Sequence, residues 1–403
     1  MDREHNPFRQ IGVLRQALED AKRPIGFLLG AGASSAIKVK DGQSLIPDVV
    51  SMTTRLEEKM ANSKHKACFG LLSSQLKSQK ANANVEDYLT FVRNLLEVVD
   101  KTPLKDLDHE GLTSVDLEIT EFVRTTTSVN LPDEITPFDQ LAVWVRSASR
   151  GHPVEIFTLN YDLLVEQAFE RRKVPFFDGF IGAHEPFFDT FAIESEVNRK
   201  GDSDRIPSRW ARLWKVHGSI NWWAKKVGDS IDVIRTREGA GRACLIFPSH
   251  LKYDQARQMP YLAMMERLKQ FLALPSSVLI TCGYSFRDRH INALLVQALS
   301  GRSDAVTFGM MRGGVEKYGD VIPIAESVPN LNLLARDGAV VGGKKGSWGL
   351  ADNSPMLAYG LAKESKKVDG ATKEVWVLTL GDFVEAGRML HDLTGRAPIE
   401  TAA

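Results

Sequence analysis

Apolar residues recur along this chain in two rhythms. Short dense runs read as strands: Ile25-Gly26-Phe27-Leu28-Leu29, Val154-Glu155-Ile156-Phe157, Leu213-Trp214-Lys215-Val216, residues 243–247 and Val278-Leu279-Ile280-Thr281-Cys282. Between them, apolar positions three and four apart read as helices over residues 11–22, much of 48–100, 138–148, 163–172, 259–274 and 291–299. Alternation of the two predicts an α/β fold with a doubly wound parallel sheet.

The spacing of the strands adds an insertion. A simple crossover between parallel strands takes a few dozen residues, whereas residues 48–150, mostly helical in pattern, separate the first two strands. They are expected to form a helical insertion over the nucleotide fold, with a Thr- and Asp-rich loop at 101–115. A loop carrying Phe176, Phe177, Phe187 and Phe188 follows the second strand. The tail differs: glycines punctuate it, residues 363–373 are polar, and one late strand is legible at 375–380. Residues 1–300 are therefore expected to form the nucleotide-binding domain. Residues 301–403 are expected to be a carboxy-terminal extension that completes the fold or mediates assembly.

Composition mainly excludes. Lys plus Arg and Asp plus Glu balance at 51 each, so no bulk charge signals nucleic acid or a membrane surface. No apolar run approaches the roughly 18 residues of a membrane span, and the charged start MDREHNPFRQ lacks the apolar stretch of a secretory signal. A cytoplasmic location is expected. The three cysteines, Cys68, Cys244 and Cys282, are far apart, which excludes a disulfide framework or a four-cysteine zinc site within one chain.

Chemistry gathers where strands end. Gly30-Ala31-Gly32 follows the first strand directly and opens towards Ser34; such turns admit a phosphate or simply turn tightly. A dehydrogenase would add an acidic residue ending a second strand ~20 residues on, but the stretch before Asp48 is too short and ends in Pro47. Thr158-Leu159-Asn160-Tyr161-Asp162 ends the second strand; Asn160 either caps the next helix or holds a water or ribose hydroxyl, and Asp162 caps, pairs with a base or fixes Asn160. His217, before Gly218-Ser219, ends the third and has an ordinary pKa near ~6.5, suited to accepting a proton. Trp214, Trp222 and Trp223 flank it as core or pocket wall. The last strand runs into Gly283-Tyr284-Ser285-Phe286-Arg287-Asp288, where Gly283 and Ser285 suit a second phosphate or ribose turn and Asp288 suits a helix cap.

Taken in order, these four strand ends resemble the sirtuin (silent information regulator) family over residues 20 to 300. The matching motifs are G-A-G-x-S at Gly30 to Ser34, T-x-N-x-D at Thr158 to Asp162, His217-Gly218, and G-x-S at Gly283 to Ser285. The wording TLNYD, VHGS and GYSFRD resembles the NAD-hydrolysing branch of bacterial antiphage systems. The resemblance implies a Rossmann-like fold and NAD+ as substrate, bound by Gly30, Ala31, Gly32, Ser34, Asp162, Gly283 and Ser285. It implies Asn160 and His217 as catalytic residues, with no metal required. It further implies NAD+ depletion in abortive infection, controlled by homo-oligomerisation or by a HerA-type ATPase partner. The paired C-x-x-C zinc module of deacylating sirtuins is absent from the sequence. The alternatives are an NAD-dependent deacylase or ADP-ribosyltransferase, and a non-catalytic NAD-binding sensor subunit.

Overall fold

A computed structural model describes residues 4–39, 41–99, 107–147, 149–197, 207, 209–228, 230–237, 242–245, 260–349, 360–368 and 371–395. Its main sheet has ten strands: β1 (Glu4–His5), β2 (Ile25–Leu29), β3 (Glu155–Thr158), β4 (Phe176–Phe177), β5 (Ala211–Lys215), β6 (Val278–Cys282), β7 (Val306–Met310), β8 (Leu331–Leu334), β9 (Gly338–Val341) and β10 (Lys344–Trp348). Their spatial order is β1-β10-β9-β8-β7-β6-β2-β3-β5-β4. The seven strands from β8 to β4 run parallel. Strand β9 is antiparallel to β8, and β10 to β9. From β2 the chain passes to β3, to the edge strand β4 and back to β5 between them on one side, then crosses to β6, β7 and β8 on the other. Strand order therefore reverses at β2, and in open α/β sheets the ligand crevice lies beyond the carboxyl ends at such a reversal.

The dense apolar strands are explained by burial on both faces. Side chains alternate across a strand, so Phe27, Leu29, Ile156, Leu213 and Ile280 join one core, while Leu28, Phe157, Trp214 and Leu279 join the other. The first core is covered by helices α1 (Pro7–Glu19), α3 (Val49–Ala61), α4 (Lys66–Gln79), α5 (Val85–Val99), α6 (His109–Thr127), α7 (Pro137–Ser147) and α8 (Leu164–Arg171), and by the late helix Phe383–Asp392. The five-residue helix Ala31–Ser35 (α2) starts at the end of β2. The second core is covered by Pro260–Leu272, Arg289–Ser300 and Ile322–Ser327. Helices α3 to α6 pack on one another, whereas α7 packs on α8 and on Phe383–Asp392. Each fully buried large apolar side chain contributes roughly 1.5–3 kcal/mol. No helix among the described residues is long and apolar enough to cross a membrane.

The fold class is the one expected, and several local expectations change. The 101–115 loop gives way to α6 from His109: Asp108 accepts from Gly111 N at 2.7 Å, and Leu112, Val115, Ile119 and Val123 are buried along one stripe. Positions 101–106 lie outside the described residues. Arg242–Leu245 does not join the parallel sheet; it edges a separate five-stranded antiparallel sheet with Gly218–Val227, Ser230–Arg235, Phe187–Phe188 and Phe180–Ile181. The paired phenylalanines are thus short strands: Phe176–Phe177 edges the main sheet, and Phe187–Phe188 lies in the small one. Past residue 300, β7 to β10 extend the main sheet, and the late strand is Ala371–Leu378, paired with Leu361–Val368. Asp48 caps α3 by accepting from Ser51 N.

Candidate active site

The four chemistry-bearing segments leave the sheet from one row of residues. Cys282 pairs with Leu29, Leu29 with Thr158, and Thr158 with Lys215, across the adjacent strands β6, β2, β3 and β5. Gly283, Gly30, Asn160 and His217 each follow that row within two positions. One register therefore brings together segments spread over more than two hundred residues of sequence.

On the β2 side, two glycine turns touch backbone to backbone. Gly30 N donates to Cys282 O at 3.0 Å and Gly32 N to Gly283 O at 2.9 Å. A Cβ on Gly30 would stand 2.5 Å from Gly283 O, and one on Gly32 would stand 2.7 Å from Gly283 Cα. Gly283 has φ +64°, and its Cβ would lie 2.5 Å from Gly32 C. Side chains rarely tolerate that φ and never that approach. These glycines answer first to each other. Ala31 and Ser285 are the exposed residues of the two turns, whereas Gly30 is buried.

Asn160 is gripped from behind. Its Nδ2 donates to Gly30 O at 3.1 Å and to Ser34 Oγ at 2.8 Å, and Ser34 Oγ in turn donates to Asp162 Oδ2 at 2.7 Å. Both amide hydrogens are thereby used, leaving Oδ1 as an acceptor. Ser34 is 1% exposed and Asp162 5% exposed, so both side chains lie buried behind Asn160. Asp162 Oδ1 accepts from Leu164 N at 3.1 Å at the start of α8. Burial raises the Asp162 pKa, opposed by the Lys215 charge and by the bonds from Ser34 and Leu164. Lys215, 2% exposed, donates to Asp162 O and to Glu166 Oε1, the latter at 3.0 Å, and so braces the turn that carries Asn160.

His217 stands between two carboxylates. Its Nε2 is 2.9 Å from Asp288 Oδ2, and its Nδ1 is 4.0 Å from Glu86 Oε1. Asp288 also caps the helix Arg289–Ser300, its Oδ1 accepting from His290 N and Ile291 N at 2.8 and 3.1 Å. The loop from Gly283 to Asp288 therefore crosses back over the ends of β2 and β3 to reach β5, roughly 14 Å at ordinary strand spacing. Phe286, at φ +56°, shapes that crossing, and Asn292 Nδ2 secures it by donating to Phe286 O at 2.7 Å. Burial lowers the His217 pKa, but the Asp288 hydrogen bond and the charges of Glu86 and Asp288 outweigh it and raise the value above 6.5. Burial pushes the Asp288 carboxyl up, but His217 and the two helix N–H groups hold it below 3.8. An ionised Asp288 takes the proton on Nε2, leaving Nδ1 of the neutral ring as the base.

Sequence reasoning assigned Asp288 only to capping and gave Glu86 no role. Trp214 and Trp222 are core at 0% and 1% exposure. Trp214 Nε1 donates to Glu155 Oε2 at 2.7 Å, and Arg267 pairs with the other oxygen of that carboxylate at 2.7 Å. Cys282 is buried, its thiol pushed up to about 12 by that burial, and it serves as packing. Among the described residues, no group of three or more His, Cys, Asp or Glu side chains is placed to hold a metal ion.

A gripped asparagine and a carboxylate-held histidine thus stand at the switch-point edge of a parallel sheet, where open α/β folds bind their ligands. Residues 154–315 match the family model described as the SIR2-like domain, so over this span the chain is similar to that family. The match spans Asn160, His217, Gly283 and Asp288 and stops short of Gly30 to Ser34, which the β2–β3 register supplies. No curated protein matches the chain.

Proposed function

We propose that this protein is an NAD+ glycohydrolase that cleaves NAD+ and water to nicotinamide, ADP-ribose and a proton. The observation that carries the reading is the single row Cys282–Leu29–Thr158–Lys215, which sets Asn160 and His217 at equivalent places beyond neighbouring strands. Asn160 offers Oδ1 to a ribose hydroxyl or to the attacking water, held by the Gly30 and Ser34 bonds. His217 accepts the water proton on Nδ1 while Asp288 fixes the tautomer and stabilises the imidazolium. Ala31 and Ser285 are assigned to the dinucleotide, with Gly30, Gly32 and Gly283 shaping the turns that present them. Ser34 and Asp162 position Asn160. The finer biological setting rests on the wording of TLNYD, VHGS and GYSFRD: NAD+ depletion in antiphage defence, homo-oligomerisation and a HerA-type ATPase partner. The test is nicotinamide release from NAD+ by the wild type beside Asn160→Ala and His217→Ala. Release abolished in both supports the reading, and release retained in both sinks it.

A further inference from the structure

Glu86 sits in the first turn of α5, where a carboxylate is ordinarily favoured by the helix dipole. Here the ordinary duties are taken by others. Asn84 Oδ1 accepts from Glu86 N and Asp87 N at 2.9 and 3.1 Å, and Asp87 Oδ2 accepts from Asn84 N at 2.8 Å. Glu86 instead turns its side chain towards the sheet edge. Its Oε1 accepts from the Tyr161 hydroxyl at 2.7 Å and lies 4.0 Å from His217 Nδ1. Tyr161 is 7% exposed, and its burial, with the Glu86 charge, raises its pKa well above 10.0, so it remains a donor. Glu86 itself keeps 39% of its side-chain surface in solvent. One carboxylate thus faces each nitrogen of the imidazole: Asp288, 20% exposed and tied to the helix cap through its other oxygen, and Glu86, 39% exposed.

We infer that Glu86, a residue of the helical insertion, is the proton exit of the site and acts through His217. This rests on the glycohydrolase reading above. The attacking water gives its proton to Nδ1 as its oxygen bonds to the anomeric carbon and the nicotinamide bond breaks. The Nδ1 proton then passes to Glu86 Oε1 as the part-exposed Glu86 side chain closes the 4.0 Å gap to hydrogen-bond distance, and from there to bulk water, which restores neutral His217 and ionised Glu86. The Tyr161 hydroxyl keeps the carboxylate beside the ring. The groups facing this pair are Asp288 on one side of the ring, Tyr161 beside Glu86, and, next to Tyr161, Tyr261 and Arg93; Arg93 is paired with Asp116 at 2.7 Å. The insertion is therefore part of the catalytic device and not only a cover over it.

The experiment has two arms on Glu86→Gln, which keeps an oxygen for Tyr161. The first follows the His217 ring signals by NMR against pH without NAD+, so that it reads the pair whether or not the protein turns over. Loss of an opposite charge at this range lowers a pKa by about one pH unit or more, and Glu86→Asp, which keeps the charge, retains most of the wild-type value. The second measures nicotinamide release in dilute buffer, where Glu86→Gln is expected to lose roughly tenfold or more, and then with added imidazole or formate, which restores several-fold by carrying the proton outward. An unmoved His217 pKa, or a loss that no small buffer rescues, overturns the inference. A wild type that releases no nicotinamide overturns the glycohydrolase reading instead, and the NMR arm still decides whether Glu86 is the charge partner of His217.

Discussion

Replacing Ser34 by Ala removes the middle link between Asn160 and Asp162. The Ser34 hydroxyl donates to Asp162 Oδ2 at 2.7 Å and accepts from Asn160 Nδ2 at 2.8 Å, at 1% exposure. A hydrogen bond to a charged group contributes roughly 1.5–3 kcal/mol, and a buried donor left unmatched costs about 1–3 kcal/mol. Asn160 is 9% exposed, so water can partly replace the second bond but not the first. The expected loss is therefore about 2–4 kcal/mol, read from urea unfolding of the full chain at neutral pH. Losing the Ser34 bond also lets burial raise the Asp162 pKa further. A carboxyl whose folded pKa exceeds its unfolded value makes the fold less stable as pH rises through that interval. The Ser34→Ala deficit should accordingly shrink in acid, as Asp162 takes up its proton. In a double-mutant cycle, Ser34→Ala and Asn160→Ala should show coupling of about 1 kcal/mol. A deficit below about 0.5 kcal/mol, the scale of an uninvolved surface change, with no coupling, would refute the chain Asn160–Ser34–Asp162.

Three further outcomes are expected. Asp288→Asn removes the partner that raises His217, so the acid limb of the nicotinamide-release profile moves to lower pH while the maximal rate falls. The pair's contribution to stability is complete between the ordinary carboxyl value of 3.8 and the ordinary imidazole value of 6.5. It is lost as pH falls through the lowered Asp288 pKa or rises through the raised His217 pKa, and pH-dependent unfolding of Asp288→Asn should lack the acid slope and show a smaller one on the His217 side, where Glu86 still acts. Gly283→Ala forces a side chain into φ +64° and against Gly32, at a cost of at least about 1–2 kcal/mol for the backbone conformation alone; urea midpoints check it, and Ser285→Ala serves as the neutral comparison. Lys215→Met leaves Glu166 and the Asp162 carbonyl without their buried donor, which should cost about 3–5 kcal/mol and be partly recovered in Lys215→Met with Glu166→Gln.

Much of this fold is legible because both faces of the sheet are buried. That requirement makes Phe27-Leu28-Leu29 and Val278-Leu279-Ile280 dense enough to read as strands with no other cue. The polar strand ends at Asn160 and His217 stand out against those runs for the same reason. Helix α6 is hidden because Thr and Glu residues fill its outer face, although Leu112, Val115, Ile119 and Val123 keep the helical spacing. Pairings across long separations are invisible in a single sequence. Ser34 meets Asn160 across 126 positions, and His217 meets Asp288 across 71. Asp288 also shows how a correct local reading can be incomplete, since one carboxylate oxygen caps a helix while the other holds the histidine. For the capping duty there is a sequence signal; for the other, only the Gly283-Tyr284-Ser285-Phe286-Arg287 loop, whose path depends on positive φ at Gly283 and Phe286. Glu86 sits in a helix pattern that an outward-facing glutamate would satisfy equally well.

The most direct test of the account follows the fate of NAD+ with the purified protein over a range of concentrations, with no acyl peptide or other acceptor added. Nicotinamide and ADP-ribose are separated and quantified together. The account predicts that they appear in equal amounts, from water alone, and that both vanish in His217→Ala. Nicotinamide release that waits for an acyl or protein acceptor, or no release at any concentration or in the assembled state, would contradict hydrolysis at this site.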